Sequence, residues 1–146
     1  MMIIHEAQEL HLEGLDNSIW FKTGDMGFYD EDGEIFVVER INQLCEIKKQ
    51  LFSPTLIENT LHDHMAVFEA VAIYISSHND TYAIAFITKM LGVEVTEMEL
   101  KQHVIQNCDC YNELRHVIFL PHLPRFSNGR INRKLLYNMA RSNIFW

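Results

Sequence analysis

A chain of 146 residues, with 48% hydrophobic and 22% charged positions, is apolar enough to bury a core, which excludes a disordered segment. Its length accounts for one domain, or for one domain and a fragment of another. Lys and Arg total 12 against 20 Asp and Glu, a net charge of −8, which argues against a general nucleic-acid binder because phosphate neutralisation needs basic faces.

The charge is uneven. Every Asp and Glu lies at or before Glu113, whereas residues 114–146 carry Arg115, Arg125, Arg130, Arg133, Lys134 and Arg141 and no acid. A basic end on an acidic body points to a local anion site or a partner surface, or else to a tail that packs on that body. Cys45, Cys108 and Cys110 form an odd set without a paired framework, which suits a reducing compartment. Cys108 and Cys110 with His103 fit no common zinc spacing, and no metal site is expected. The start, Met1 to Glu6, is too short and too soon acidic for a signal peptide, and no apolar run approaches the roughly 18 residues of a membrane span. The last residues, Asn143 to Trp146, are not a Ser-Lys-Leu-type address. An intracellular location, cytoplasmic or unknown, is the resulting expectation.

In chain order, residues 5–14 read as a short helix closed by Gly14, too poor in apolar side chains to stand without a neighbour. Residues 19–22 read as a strand and 23–25 as a tight turn. Residues 27–29 and 34–39 flank Asp30-Glu31-Asp32-Gly33, a hairpin signature. A short strand is expected over 44–48, followed by the polar Lys48, Lys49 and Gln50. Ser53-Pro54 opens a helix that runs to about His64, with Leu56, Ile57 and Leu61 inward. Residues 67–76 and 82–88 read as strands joined by a turn over 77–80, hence antiparallel. Thr96 caps a helix to about Asn107 whose apolar set is Met98, Leu100, Val104 and Ile105. A strand over 116–120 and a helix over 133–140 complete the chain. Between them, Pro124 and Asn128-Gly129 make a turn-rich loop that presents Arg130, a long cation suited to a phosphate, a carboxylate or a developing negative charge. The same composition also describes an ordinary surface loop.

Four stretches, in this order, carry a resemblance. Trp20-Phe21-Lys22-Thr23-Gly24-Asp25-Met26-Gly27 is one. Tyr29 through Arg40, with its Asp-x-x-Gly turn, is the second. Ser53-Pro54 through Glu69-Ala70 is the third, and Leu123 through Lys134 the fourth. Together they resemble the C-terminal part of the acyl-adenylate-forming superfamily: acyl-CoA synthetases, coumarate–CoA ligases, luciferases and peptide-synthetase adenylation domains. The resemblance covers about residues 16–142.

It implies an α+β fold, an N-terminal β-hairpin followed by a small mixed sheet packed with about three helices. Residues 1–40 would be the tail of a large adenylation domain and the hinge, and residues 41–146 a mobile C-terminal lid. Such enzymes activate a carboxylate with ATP to an acyl-adenylate and pass the acyl group to a thiol, usually CoA. By position, Asp25 and Arg40 would contact the ribose, Glu39 would be the hinge residue, and Arg130 would stand where the family has its catalytic lysine. Lys48 and Lys49 would line the CoA-side loop. Lys49 replaces a glycine, Glu46 a lysine, and Arg130 keeps the charge of a lysine with a longer, planar head. ATP or AMP and CoA are implied, with Mg2+ held by the large domain, and none is expected in the chain alone.

Three functions stay open on these residues. One is the lid portion of an AMP-forming acid–thiol ligase, inactive alone. Another is a non-catalytic module docking a partner such as the large adenylation domain or a full-length synthetase. The last is a nucleotide or CoA binder of weaker than about millimolar affinity, since one ribose acceptor and one or two cations without a pocket contribute little. Self-association is expected if Trp20, Phe21, Leu10 and Leu12 stand uncovered. Asp25 reads alternatively as a turn cap, Arg40 as a solvated strand-end charge and Arg130 as a surface cation.

Overall fold

The computed structural model describes residues 23–47, 50–77, 80–108 and 114–142. The helix expected over 5–14, the strand over 19–22 and the side chains of Trp20, Phe21, Lys48 and Lys49 lie outside the described residues. The chain divides into two compact units, one ending at Leu51 and the other beginning at Phe52.

The first unit is built on an antiparallel hairpin of β1 (Asp25–Tyr29) and β2 (Ile35–Arg40). Its turn forms because Asp30 accepts through Oδ1 from the N–H groups of Asp32 (3.0 Å) and Glu34 (2.9 Å), while Gly33 takes φ 80°, where a side chain would be strained. The strands come closest at Gly27: a Cβ there would meet Phe36 O at 2.6 Å, so only glycine fits beside the bulge between Met26 and Gly27. Phe28 stacks on Phe36 opposite it, with ring centroids 5.1 Å apart. Asp25 corrects the expected turn over 23–25, because it pairs with Arg40 as the first residue of β1. A short 3-10 turn (Ile41–Gln43) and β3 (Cys45–Ile47) follow, and β3 pairs with β4 (Gln50–Phe52). β4 was not expected, since Gln50 and its lysine neighbours read as a polar connector.

The second unit is a mixed three-stranded sheet, β5 (Val67–Ser77), β6 (Asp80–Lys89) and β7 (Leu114–Phe119). β5 and β6 are antiparallel; β6 and β7 are parallel, which the crossover helix between them permits. Alternation divides the side chains between two faces. Ala70, Ala72, Ala83, Ala85, Ile87 and Val117 meet Ile57 and Leu61 of α1 (Pro54–His62) and Leu100 and Val104 of α2 (Glu97–Asn107). The small alanines let two helices share that face. Val71, Ile73, Ile75, Ile84, Phe86 and Ile118 meet Leu136 and Ala140 of α3 (Arg133–Arg141) on the other. The α+β class and, among the described residues, the hairpin, small sheet and three helices follow the expectation.

The helix starts are those the sequence encodes. Ser53 Oγ accepts from Thr55 N–H at 3.2 Å with Pro54 in the first turn. Thr96 and Glu99 close a reciprocal capping box. In α2 only Leu100 and Val104 are buried; Met98 is 79% exposed and Ile105 half-exposed, which narrows the apolar set expected there. Glu97 joins α2 to β7: its Oε1 accepts from Lys101 Nζ (2.9 Å) and Val117 N–H (3.1 Å), with His116 Nδ1 at 3.7 Å. Burial alone would raise the Glu97 pKa; the hydrogen bonds from Lys101 and Val117, with the nearby positive charges, lower it below the usual carboxylate value. Burial, then the Lys101 charge, holds His116 below its ordinary value. Cys108 is disulfide-bonded, which corrects the expectation of a set without a paired framework: an odd count excludes complete pairing, not one bond.

Candidate functional site

Two clusters hold the residues singled out in the sequence. In the first unit, the β1–β2 register sets Asp25 opposite Arg40. Arg40 Nε lies 2.9 Å from Asp25 Oδ1, and its Nη1 donates to Thr23 O at 2.8 Å. Asp25 N–H donates to Thr23 Oγ1 at 3.2 Å, and Ile41 N–H to Gly24 O at 2.9 Å. Gly24 sits between at φ 76°. The Thr-Gly-Asp stretch and the strand-end arginine are thus one hydrogen-bonded unit. A carboxylate acceptor thereby stands beside a guanidinium, an arrangement able to grip vicinal hydroxyls. Glu39, next in β2, accepts from Arg40 N–H through Oε1 at 3.0 Å.

The second cluster is the loop from Leu123 to Asn132. Leu123 is buried and Ile131 packs on the α3-side core, so both ends of the loop are seated. Arg125 and Ile131 form an antiparallel bridge, and Asn132 N–H donates to Pro124 O at 2.8 Å. At the tip, Phe126 N–H donates to Arg130 O (2.8 Å) and Gly129 N–H to Phe126 O (2.9 Å), with Gly129 at φ 84°. Asn128 Oδ1 accepts from Arg130 N–H at 3.0 Å. Asn132 then caps α3 through Leu135 N–H at 3.0 Å.

The structure sorts the cations of the basic end. Arg115 pairs with Asp80 and lies over the Tyr82 ring, with its guanidinium carbon 4.0 Å from the centroid. Arg125 pairs with Glu69, Arg133 with Glu58, and Arg141 reaches over Tyr137. Tail-on-body packing therefore accounts for three of them. The side chains of Arg130 and Lys134 make no hydrogen bond or ion pair among the described residues. Arg130 is exposed, at the position the motif singles out.

What sequence reasoning missed is the Glu58–Arg133 pair. Arg133 Nη2 donates to both carboxylate oxygens of the buried Glu58, at 2.8 and 3.0 Å, and Nη1 to Ala72 O at 3.2 Å. Glu58 Oε1 also accepts from Ala72 N–H at 2.8 Å. Glu58 lies within α1, and nothing near it in the sequence signals a partner so far along the chain. No group of three or more His, Cys, Asp or Glu converges as metal ligands would among the described residues. No described helix is long and apolar enough to cross a membrane.

No protein-family model matches the chain. It is 32% identical over 123 residues to 4-coumarate-CoA ligase 1 of Narcissus pseudonarcissus, covering 84% of this chain and 22% of that protein. To the peroxisomal OPC-8:0-CoA ligase 1 of Arabidopsis thaliana it is 31% identical over 130 residues, 88% of this chain and 24% of that one. Among solved structures, the anthranilate CoA ligase AuaEII in complex with anthranoyl-AMP superposes with a TM-score of 0.71 at 26% identity, over 85% of this chain and 25% of that one. The chain belongs to the acyl-adenylate-forming superfamily, as its C-terminal region. The amide bond synthetase McbA of Marinactinospora thermotolerans has the same fold, with a TM-score of 0.74 at 20% identity over 83% of this chain and 25% of that one. The chain spans about a fifth to a quarter of the length of these superfamily relatives.

Proposed function

We propose that this chain is the lid portion of an AMP-forming acid–thiol ligase and turns over only with a large adenylation domain. Residues 1–40 are then the end of that domain and the hinge, and residues 41–146 the lid. The observation that carries the reading is Arg130, a guanidinium without a partner among the described residues, on a loop whose backbone is fixed by hydrogen bonds. In adenylation the acid's carboxylate attacks the α-phosphorus of ATP, pyrophosphate leaves, and negative charge gathers between acid and phosphate. Arg130 neutralises that charge from the lid side. Asp25 accepts from the ribose hydroxyls of ATP or AMP, and Arg40 holds the Asp25 carboxylate in place. Glu39 is the hinge residue on which the lid turns towards thioester formation, in which the CoA sulfur loses its proton, attacks the acyl carbon and releases AMP. Lys48 and Lys49 lie on the CoA side, where Lys49 narrows the approach that a glycine leaves open. Mg2+ belongs with the large domain.

The test joins this chain to a 4-coumarate–CoA ligase in place of that enzyme's own C-terminal segment. The graft releases pyrophosphate in the presence of acid and ATP, and the chain alone with ATP, CoA and acid does not. Robust turnover by the chain alone, or none by the graft, refutes the reading.

A second reading is favoured by the β1–β2 hairpin, which exposes Tyr29, Ile35 and Val37. There the chain is a non-catalytic module whose apolar hairpin docks a full-length synthetase. Crosslinking of the intact chain with such a synthetase tests it, and absence of a crosslinked pair removes it.

A further inference from the structure

We propose that Arg125 and Arg133 are positioning residues for Arg130, each tying one end of its loop to β5 through a glutamate. This rests on the role given to Arg130 above.

Arg125, five positions before Arg130, works in two directions. Its Nη2 pairs with Glu69 of β5, and its Nη1 donates to Gly129 O at 2.8 Å. Gly129 O belongs to the peptide group whose nitrogen is that of Arg130. The N–H of that peptide is held by Asn128 Oδ1, and Arg130 O receives Phe126 N–H. Both peptide planes that flank the Arg130 Cα are therefore fixed, one of them through Arg125 to the sheet. Arg133, three positions after Arg130, is held by Glu58 and Ala72 O, and Glu58 is itself held by Ala72 N–H. The second anchor thus ends on β5 as well. Between the anchors stands one long cation, Arg130, whose side chain has no partner among the described residues. Two arginines are consumed so that the third hangs from a stationary backbone, and its guanidinium loses less freedom when an anion arrives. Displacing a charged group by about 1 Å from its reacting atom costs up to roughly a hundredfold in rate, so the anchors should be read in turnover.

Arg115 supplies the comparison that separates positioning from mere folding. It also pairs across strands, with Asp80, yet touches nothing in the Arg130 loop. In the graft described above, R125Q and E69Q should each lower kcat about tenfold while the KM for ATP stays within about twofold, and the double variant should be no worse than either. R125K, which keeps the charge for Glu69 but not the fork that also holds Gly129, should recover only part. R115Q should leave kcat unchanged. E58Q should fall with the first group; where it does not fold, R133K carries the same test. Amide exchange at Phe126 and Gly129 of the full chain should quicken in R125Q and not in R115Q. If R130A abolishes turnover while R125Q and E69Q do not change kcat, the positioning role is overturned and the function stands. Faster exchange at an unchanged kcat likewise makes the anchors purely structural. If R130A matches the unmutated graft, the role of Arg130 falls, and this proposal with it.

Discussion

The β5–β6–β7 sheet is covered on both faces by helices, whereas the β1–β2 hairpin carries Phe28, Tyr29, Ile35, Phe36 and Val37 at its surface. Both begin from the same signal, two apolar runs around a short turn. The sheet adds a third strand and two layers of helix; among the described residues the hairpin is held by an aromatic stack, a tight glycine contact and the Asp25–Arg40 pair, and an isolated two-stranded ribbon is marginal in water. The candidate sites differ in the same sense. On the covered sheet Arg130 stands without a partner among the described residues, while on the bare hairpin Arg40 is already closed on Asp25. A region stable by itself can hold a charge open; the hairpin spends its cation on its own order.

That contrast can be tested by substitutions of decreasing effect. Phe86→Ala, at a fully buried position between the sheet and α3, should cost about 3–5 kcal/mol in urea unfolding of the second unit. Gly27→Ala should cost about 1–3 kcal/mol, confined to the hairpin, because the new Cβ overlaps Phe36 O. Amide protection at Ile41, which donates to Gly24 O, should fall while the unfolding midpoint of the second unit holds. A smaller effect belongs to pH. His116 titrates below its ordinary 6.5 in the folded chain, so the unfolded chain takes up the proton first and stability falls as pH drops below 6.5. Glu97, depressed below 4.5, adds stability that is lost as pH falls below that value. H116Q should erase the first decline and leave the second, in unfolding midpoints measured against pH. The smallest change is Ile35→Ser, at a residue 79% exposed, which should alter unfolding by less than about 0.5 kcal/mol.

Local chemistry was legible in the sequence, and distant partnership was not. Ser53-Pro54, the Thr96–Glu99 box and Asn128-Gly129 announce themselves because each acts within about one turn of chain. The β5 and β6 runs were plain because both faces are buried. The β4 strand was obscured by its lysine neighbours. Asp25 looked like a turn residue because its partner, Arg40, comes only after the hairpin has closed. Met98 and Ile105 fit a helical stripe, but α2 buries a narrower one than its periodicity allows. Glu58 and Arg133 meet from either end of the second unit, a pairing that no spacing rule reaches.

Glu58 and Arg133 have one more consequence. Among the described residues β5 is flanked by β6 alone, so its other margin would be open to a strand from another molecule. At Ala72, midway along it, a carboxylate takes the N–H and a guanidinium gives to the carbonyl, as a neighbouring backbone would. The sheet is sealed there by side chains imitating a fourth strand, so an intruding peptide must evict an ion pair before it can add.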